Sequence, residues 1–243
     1  RVSNLVSCEN YRNPKGDLAP LINSVSFNIN KGDVVGICSA DVNVLYCLIE
    51  ILGNVRPFYR GVLEYGEDRL PESKARFTDK VFYLDCSKIL FERMTILEQI
   101  MFVLCELNKN EDAAKLQKKA LDLIHEVGLD SYVLRPIKKL SRETRMVVAI
   151  LVACMTPSDR IVINANEFEF NAKQCSAISS IFSLFAKEGK TIVFGTHICR
   201  AIGMCCKNIL YTNEGEIKAY CSVPEFTKKY DRVACSIKSS NPE

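Results

Sequence analysis

The sequence predicts an α/β domain with a mostly parallel core sheet. Strand-length apolar runs recur along the chain at Val34–Cys38, Val81–Leu84, Ile161–Ile163, Ile192–Phe194 and Ile209–Tyr211. Each is short and rich in β-branched or aromatic residues, the pattern of strands buried on both faces. Several stand beside stretches with helical spacing, and that alternation builds layers of helices on a parallel sheet. The chain has 243 residues, 48% of them hydrophobic, enough to bury a core without staples.

In chain order, Val34–Cys38 leads into Val44, Leu45, Leu48, Ile49 and Leu52, which share one wide face of a helix. The polar, proline-containing stretch from Leu70 to Asp79 reads as a loop. From Thr95 to Thr156 the pattern is helical, with Leu97, Ile100, Met101 and Leu104 on one stripe and Leu116, Ala120, Leu123, Ile124 and Val127 on another. A helical subdomain is therefore expected inside the α/β core. Asn213-Glu214-Gly215 reads as a hairpin turn into a last strand, Glu216–Tyr220. Lys228 to Glu243 loses all periodicity and is expected to fray. The expected division is 1–94 for the first, β-rich part of the core, 95–158 for the helical subdomain, and 159–243 for the second part of the core with its tail.

Lys plus Arg number 32 and Asp plus Glu 29, a net charge of +3, which excludes a strongly basic nucleic-acid binder and wholesale disorder. The longest apolar run, Met146 to Met155, is half of the ~20 residues that a membrane helix needs. The 12 cysteines show no paired spacing, and Cys38, Cys47, Cys105 and Cys154 sit in apolar runs, so they read as small buried hydrophobes in a reducing cytosol. The chain begins at Arg1, which reads as a tag-cleaved product or a domain cut from a longer polypeptide. Glycine is scarce, 11 residues in all, so a phosphate-cradling loop would be built from few parts.

A strand, a short loop and an apolar helix form the setting of a phosphate-binding loop, G-x-x-x-x-G-K-[ST]. Here that stretch reads Ser39-Ala40-Asp41-Val42-Asn43-Val44-Leu45-Tyr46. The chain resembles the ATP-binding domain of ABC transporters over nearly its whole length, from the lead-in Leu21 to Asp33 onward. Val81-Phe82-Tyr83-Leu84-Asp85-Cys86 and Met94 to Ile100 resemble the Q-loop strand and the helix after it. Leu140-Ser141-Arg142-Glu143-Thr144 falls at the signature position, Arg160 to Asn166 at Walker B, and Thr191 to His197 at the switch-histidine strand. The resemblance implies a P-loop NTPase-like ABC ATPase fold, with an N-terminal antiparallel β region and an inserted helical subdomain.

Against that family pattern, specific groups are missing. Ser39 and Val44 replace the loop glycines and Leu45 the lysine, so both the N–H cradle and the ammonium are lost. A carboxylate such as Asp41 at ~4 Å from a phosphate charge costs about 4 kcal/mol at an effective dielectric near 20. Arg142 and Glu143 replace the signature glycines. Asn164 and Ala165 replace the Mg²⁺-side aspartate and the catalytic glutamate, and Asp85 or Cys86 stands where the Q-loop glutamine belongs. Only His197 remains of the catalytic positions. The expectation is a degenerate nucleotide site bounded by Tyr11, residues 39–46 and Cys86, with no cofactor, no metal and no ATPase activity; the alternative is a weak ATP-binding ATPase using ATP and Mg²⁺.

Simpler roles are preferred for the other candidates. His197 reads as a hydrogen-bonded strand-end histidine, Glu167 and Glu169 as solvated loop charges, and Tyr11, at the family's adenine-stacking position, as packing. His197, Cys199, Cys205 and Cys206 match no zinc spacing; a metal or thiol sensor on this cluster is the third alternative. The stretch from Phe170 to Leu210 resembles the monosaccharide-importer branch, where one polypeptide carries two such domains. The resemblance implies an active ATPase domain as partner, membrane permease subunits docked near Cys86 to Gln99, no nucleic acid, and a cytoplasmic place at the inner membrane face.

Overall fold

The computed structural model describes residues 1–12, 18–66, 68–70, 81–85 and 89–230, with the backbone alone for 11, 12 and 68–70. Its centre is a six-stranded sheet. β5 (Val34–Ser39), β8 (Val81–Leu84), β9 (Arg160–Asn164), β10 (Thr191–Gly195) and β11 (Asn208–Asn213) run parallel in the order β11-β5-β10-β9-β8, and β12 (Glu216–Ser222) closes one edge antiparallel to β11. A second, antiparallel sheet has the order β4-β1-β6-β7, from β1 (Val2–Ser7), β4 (Val25–Phe27), β6 (Phe58–Tyr65) and β7 (Asp68–Leu70). β2 (Asn10–Arg12) and β3 (Leu18–Pro20) form a separate antiparallel pair.

Alternation along the central strands divides the core in two. Ile161, Ile163, Ile192 and Phe194 face a cluster shared with α2 (Ile96–Leu107), α3 (Ala113–Glu126), α4 (Arg142–Met155), α5 (Ala172–Lys187) and α6 (Cys199–Cys205). Val35, Ile37, Val162, Val193 and Leu210 face the other way, onto α1 (Val42–Leu52) and the antiparallel sheet. Burial on both faces explains why these strands read as continuous apolar runs. Two glycines let the layers close. A Cβ at Gly36 would lie 2.3 Å from Ile202 of α6, and one at Gly195 would lie 2.5 Å from Ile49 of α1.

The helices start where their caps dictate. Thr95 and Glu98 form a capping box for α2, as Asn171 and Gln174 do for α5, and Ser141 caps α4 by accepting the Thr144 N–H. The apolar run Met146 to Met155 is buried throughout as part of α4, and no helix among the described residues is long and apolar enough to cross a membrane. The turn at Glu214-Gly215 has φ of +52° and +73°, the left-handed pair that a two-residue hairpin requires.

Three local expectations change. Leu70 belongs to β7, paired with Leu63, rather than to a loop, and 71–79 lie outside the described residues. Lys228 to Tyr230 end α7 (Val223–Tyr230), where Phe226 and Tyr230 pack on Tyr211; 231–243 lie outside the described residues. Cys105 is exposed while Cys38, Cys47 and Cys154 are buried: it points off the outer face of α2, whose buried residues are Ile96, Gln99 and Ile100.

Candidate functional site

The C-terminal ends of the parallel strands meet at one edge of the sheet, where open α/β folds place their ligands. β5 ends at Ser39, and α1 begins at Val42 after a connector of Ala40 and Asp41 alone. Ala40 N–H is taken by Thr212 O at 3.3 Å and Asp41 N–H by Ser39 Oγ at 3.2 Å. Asp41 is the N-cap of α1: its Oδ1 accepts the Asn43 N–H at 2.8 Å, and its carbonyl accepts the Leu45 N–H at 3.1 Å. A side-chain carboxylate thus holds an amide of the kind that a phosphate would take in this fold.

Val44 and Leu45 are 1% and 0% exposed, inside the core beneath the sheet. With φ and ψ of Asp41 extended and helix from Val42 on, the segment between Ser39 and Tyr46 is one helical turn instead of an open loop. Tyr46 is partly buried, and burial followed by the Glu167 charge pushes its phenol pKa up. Asn43, Tyr46 and Glu50 face an open groove of about 430 Å³, whose other wall holds Asn10, Leu21 and Arg56. Arg56 spans it, with Nη1 2.9 Å from Glu9 and Nε 2.6 Å from Glu50. Tyr11 pairs through its backbone with Ala19 on β3, and its side chain lies outside the described residues.

At the end of β9 both ends of the Asn164 amide are engaged: Oδ1 accepts the Asn166 N–H at 3.3 Å, and Nδ2 donates to the Tyr83 hydroxyl at 3.2 Å. Burial raises the Tyr83 phenol to about 12, against the opposing pull of the Asn164 hydrogen bond. Ala165 is wholly buried, and the Asn166 amide is buried with no hydrogen-bond partner among the described residues. The Asn166 Oδ1 is a free hard oxygen of the kind that Mg²⁺ takes, but it is neutral and buried. Asp85 is exposed, and Cys86 lies outside the described residues.

The signature-like segment is helical from Arg142 on. Leu140 is buried, Ser141 caps α4, Glu143 sits in its first turn, and the buried Thr144 hydroxyl receives Ser141 Oγ at 3.0 Å and Gln174 Nε2 at 3.2 Å. Arg142 forms an ion pair with Glu167 and lies 4.6 Å over the Phe168 ring. Glu167 is therefore a paired charge rather than a merely solvated one; Glu169 is exposed. His197 is exposed, and its carbonyl faces Cys38 Sγ at 3.7 Å. Among the described residues no three His, Cys, Asp or Glu side chains gather as a metal site, and Cys205 turns instead to the Cys175 carbonyl at 3.4 Å.

Sequence reasoning missed two juxtapositions. Arg142 and Glu167 meet because α4 and the segment after β9 converge. Cys38 and Cys199 meet because β5 and β10 are parallel neighbours, so the last residues of β5 and those that follow β10 share one edge. Neighbouring parallel order was the signal available for the second.

Taken together, the parallel sheet, the strand–turn–helix unit and the inserted helices define an α/β nucleotide-binding type of fold, and comparison narrows it. The fold is that of the ABC transporter ATP-binding cassette. A nucleotide-free cassette from an ABC transporter superposes with a TM-score of 0.68 at 18% identity, covering 96% of this chain and 94% of that one. A dimeric post-hydrolysis cassette bound to ADP and Pi gives 0.66 at 17%, covering 91% and 97%. No family model matches the chain. Its sequence is similar to the ABC transporter ATP-binding protein NatA of Bacillus subtilis, 23% identical over 88% of this chain and 86% of the relative. It is likewise similar to the glutamate/aspartate import ATP-binding protein GltL of Escherichia coli, 22% identical over 81% and 83%.

The expectation that the chain is not an enzyme is overturned by these relatives. They are named as ATP-binding proteins of ABC transporters, which are ATPases, and nothing observed shows a loss of activity. The physical reason is that the identities of Asn164, Ala165 and His197 report which customary groups are absent, not what a bound nucleotide would recruit. The likeness to monosaccharide importers has no support either, since the names concern amino acids, methionine and teichoic acids.

Proposed function

We propose that this chain is the ATP-binding cassette of a membrane transporter, with a substituted nucleotide site that binds ATP weakly, and that it works beside a second cassette and against permease subunits at the inner membrane face. The observation that carries this reading is the β5–Ala40–Asp41–α1 unit at the C-terminal edge of the sheet, beside the groove of Asn43, Tyr46 and Glu50. The relatives' names support the activity class. The phosphates would meet the remaining free amides at the start of α1, and any Mg²⁺ would be held by the nucleotide's own oxygens. Phe91 and Phe102, both exposed and 5.2 Å apart edge to face, present an aromatic pair at and beyond the segment expected to dock on permease helices.

Weakness follows from charge. Without a lysine, and with Asp41 at the helix start, affinity falls toward a Kd on the order of 1 mM, about −4 kcal/mol. The test is calorimetric titration with Mg-ATP to millimolar concentration, with phosphate release followed in the same samples. Saturable binding is expected, and Asp41→Asn, which keeps the cap but removes the charge, is expected to tighten it about tenfold. No heat at any concentration, or an unchanged affinity in Asp41→Asn, would overturn the reading.

A further inference from the structure

Cys38 is the penultimate residue of β5, and Cys199 opens α6; 161 residues apart in the chain, their Sγ atoms lie 2.9 Å from each other. That is nearer than non-bonded sulfurs ordinarily approach and within about an ångström of a disulfide's 2.03–2.05 Å. The two thiols are unequal. Cys199 is exposed, whereas Cys38 is 1% exposed and backed by the His197 carbonyl at 3.7 Å.

We propose that Cys38 and Cys199 are a disulfide-forming pair that a hydroperoxide oxidises, with Cys199 as the attacking thiol and Cys38 as the resolving one. The chemistry balances in two steps. The Cys199 sulfur attacks the peroxide O–O bond; an S–O bond forms, the O–O bond breaks, the thiol proton leaves with the departing oxygen, and Cys199 becomes a sulfenic acid. The Cys38 sulfur then attacks the Cys199 sulfur; the S–S bond forms, the S–O bond breaks, and hydroxide leaves with the Cys38 proton as water. Two thiols are oxidised by one peroxide.

The electrostatics agree with this division. The hydrogen bond between the two thiols lowers Cys199 to about 7, while the same bond and burial push Cys38 upward. Cys175 and Cys205 are also neighbours, with Cys205 Sγ on the Cys175 carbonyl, but both are buried, so neither offers the exposed attacking thiol that Cys199 does. The bond would join the end of β5 to the start of α6 and fix the His197 segment between them. It acts whatever the nucleotide does.

The experiment is treatment of the reduced full chain with one equivalent of hydrogen peroxide, followed by alkylation and non-reducing peptide mapping. A Cys38–Cys199 linked peptide, two thiols lost and restored by a thiol reductant, and a melting temperature raised by several degrees through the long closed loop are expected. Cys199→Ser, at an exposed position, should abolish the linked peptide and slow the loss of thiols, leaving only the reaction of other exposed cysteines such as Cys8 and Cys105, and Cys38→Ser should leave a Cys199 sulfenic acid that dimedone traps. The proposal is overturned if both thiols stay alkylatable, if Cys175–Cys205 or an intermolecular bond forms instead, or if Cys199→Ser is oxidised as fast as the parent.

Discussion

Replacing Leu45 with lysine restores the residue that a phosphate loop uses, yet in this fold it should destabilise the chain rather than repair it. Leu45 is 0% exposed and packs in the cluster of Val35, Ile37, Leu48 and Ile49. A lysine there must shed its proton or carry charge into an apolar core. Neutralising an amine of ordinary pKa ~10.4 at pH 7 costs about 5 kcal/mol, at 1.36 kcal/mol per pH unit. The sign is fixed by linkage. The folded-state pKa is depressed, so the unfolded chain binds the extra proton and stability rises with pH. Urea denaturation of Leu45→Lys should therefore show a deficit of about 5 kcal/mol at pH 7 that shrinks by ~2–3 kcal/mol at pH 9. Leu45→Met, which keeps the volume, should lose less than about 1.5 kcal/mol at either pH. A Leu45→Lys chain as stable as the parent, with no pH dependence, would refute the inward placement of position 45 and the helical turn drawn from it.

Tyr83→Phe should cost about 1–2 kcal/mol, seen as a melting temperature lower by ~2–8 °C, because the Asn164 Nδ2 loses its acceptor; an unchanged melt would show that this hydrogen bond is not made. His125, at the end of α3, should titrate above its ordinary 6.5 because Asp130 binds its Nδ1 at 2.8 Å. Since the folded pKa is raised, the pair's contribution is present below 6.5 and fades as pH rises through the folded value, while Asp130, held below its ordinary 3.8, keeps its share until the pH falls beneath that. A ring-proton NMR titration reads the shift, and Asp130→Asn should return it to the ordinary value.

Much of the fold was legible because the central strands carry their own signal. Val81–Leu84 is found at those bounds, and the other four parallel strands extend their sequence cores by a residue or two at the ends. Polar ends such as Arg160 and Asn208 hide strand boundaries from a hydrophobicity reading. The site was legible in its stations and less so in its geometry. The inward face of Val44 and Leu45 was legible in the helical spacing with Leu48, Ile49 and Leu52, whereas that Asp41 would cap α1 depends on the backbone following helix from Val42, which the motif comparison does not report. Arg142 with Glu167 and Cys38 with Cys199 lie far apart in sequence and meet only once strand order is known. At Cys105 an apolar neighbourhood in sequence does not mean burial, because only one face of α2 meets the core.

Hydrogen exchange with and without saturating Mg-ATP tests the central claim most directly, because it locates the nucleotide as well as detecting it. The account predicts slowed exchange at the amides of Val42 and Val44, which Asp41 does not hold, and along the Asn43–Glu50 groove, with the far side of the sheet unchanged. Protection confined to other segments, or none at ATP concentrations that saturate the calorimetric signal, would contradict a nucleotide site at the β5–α1 turn.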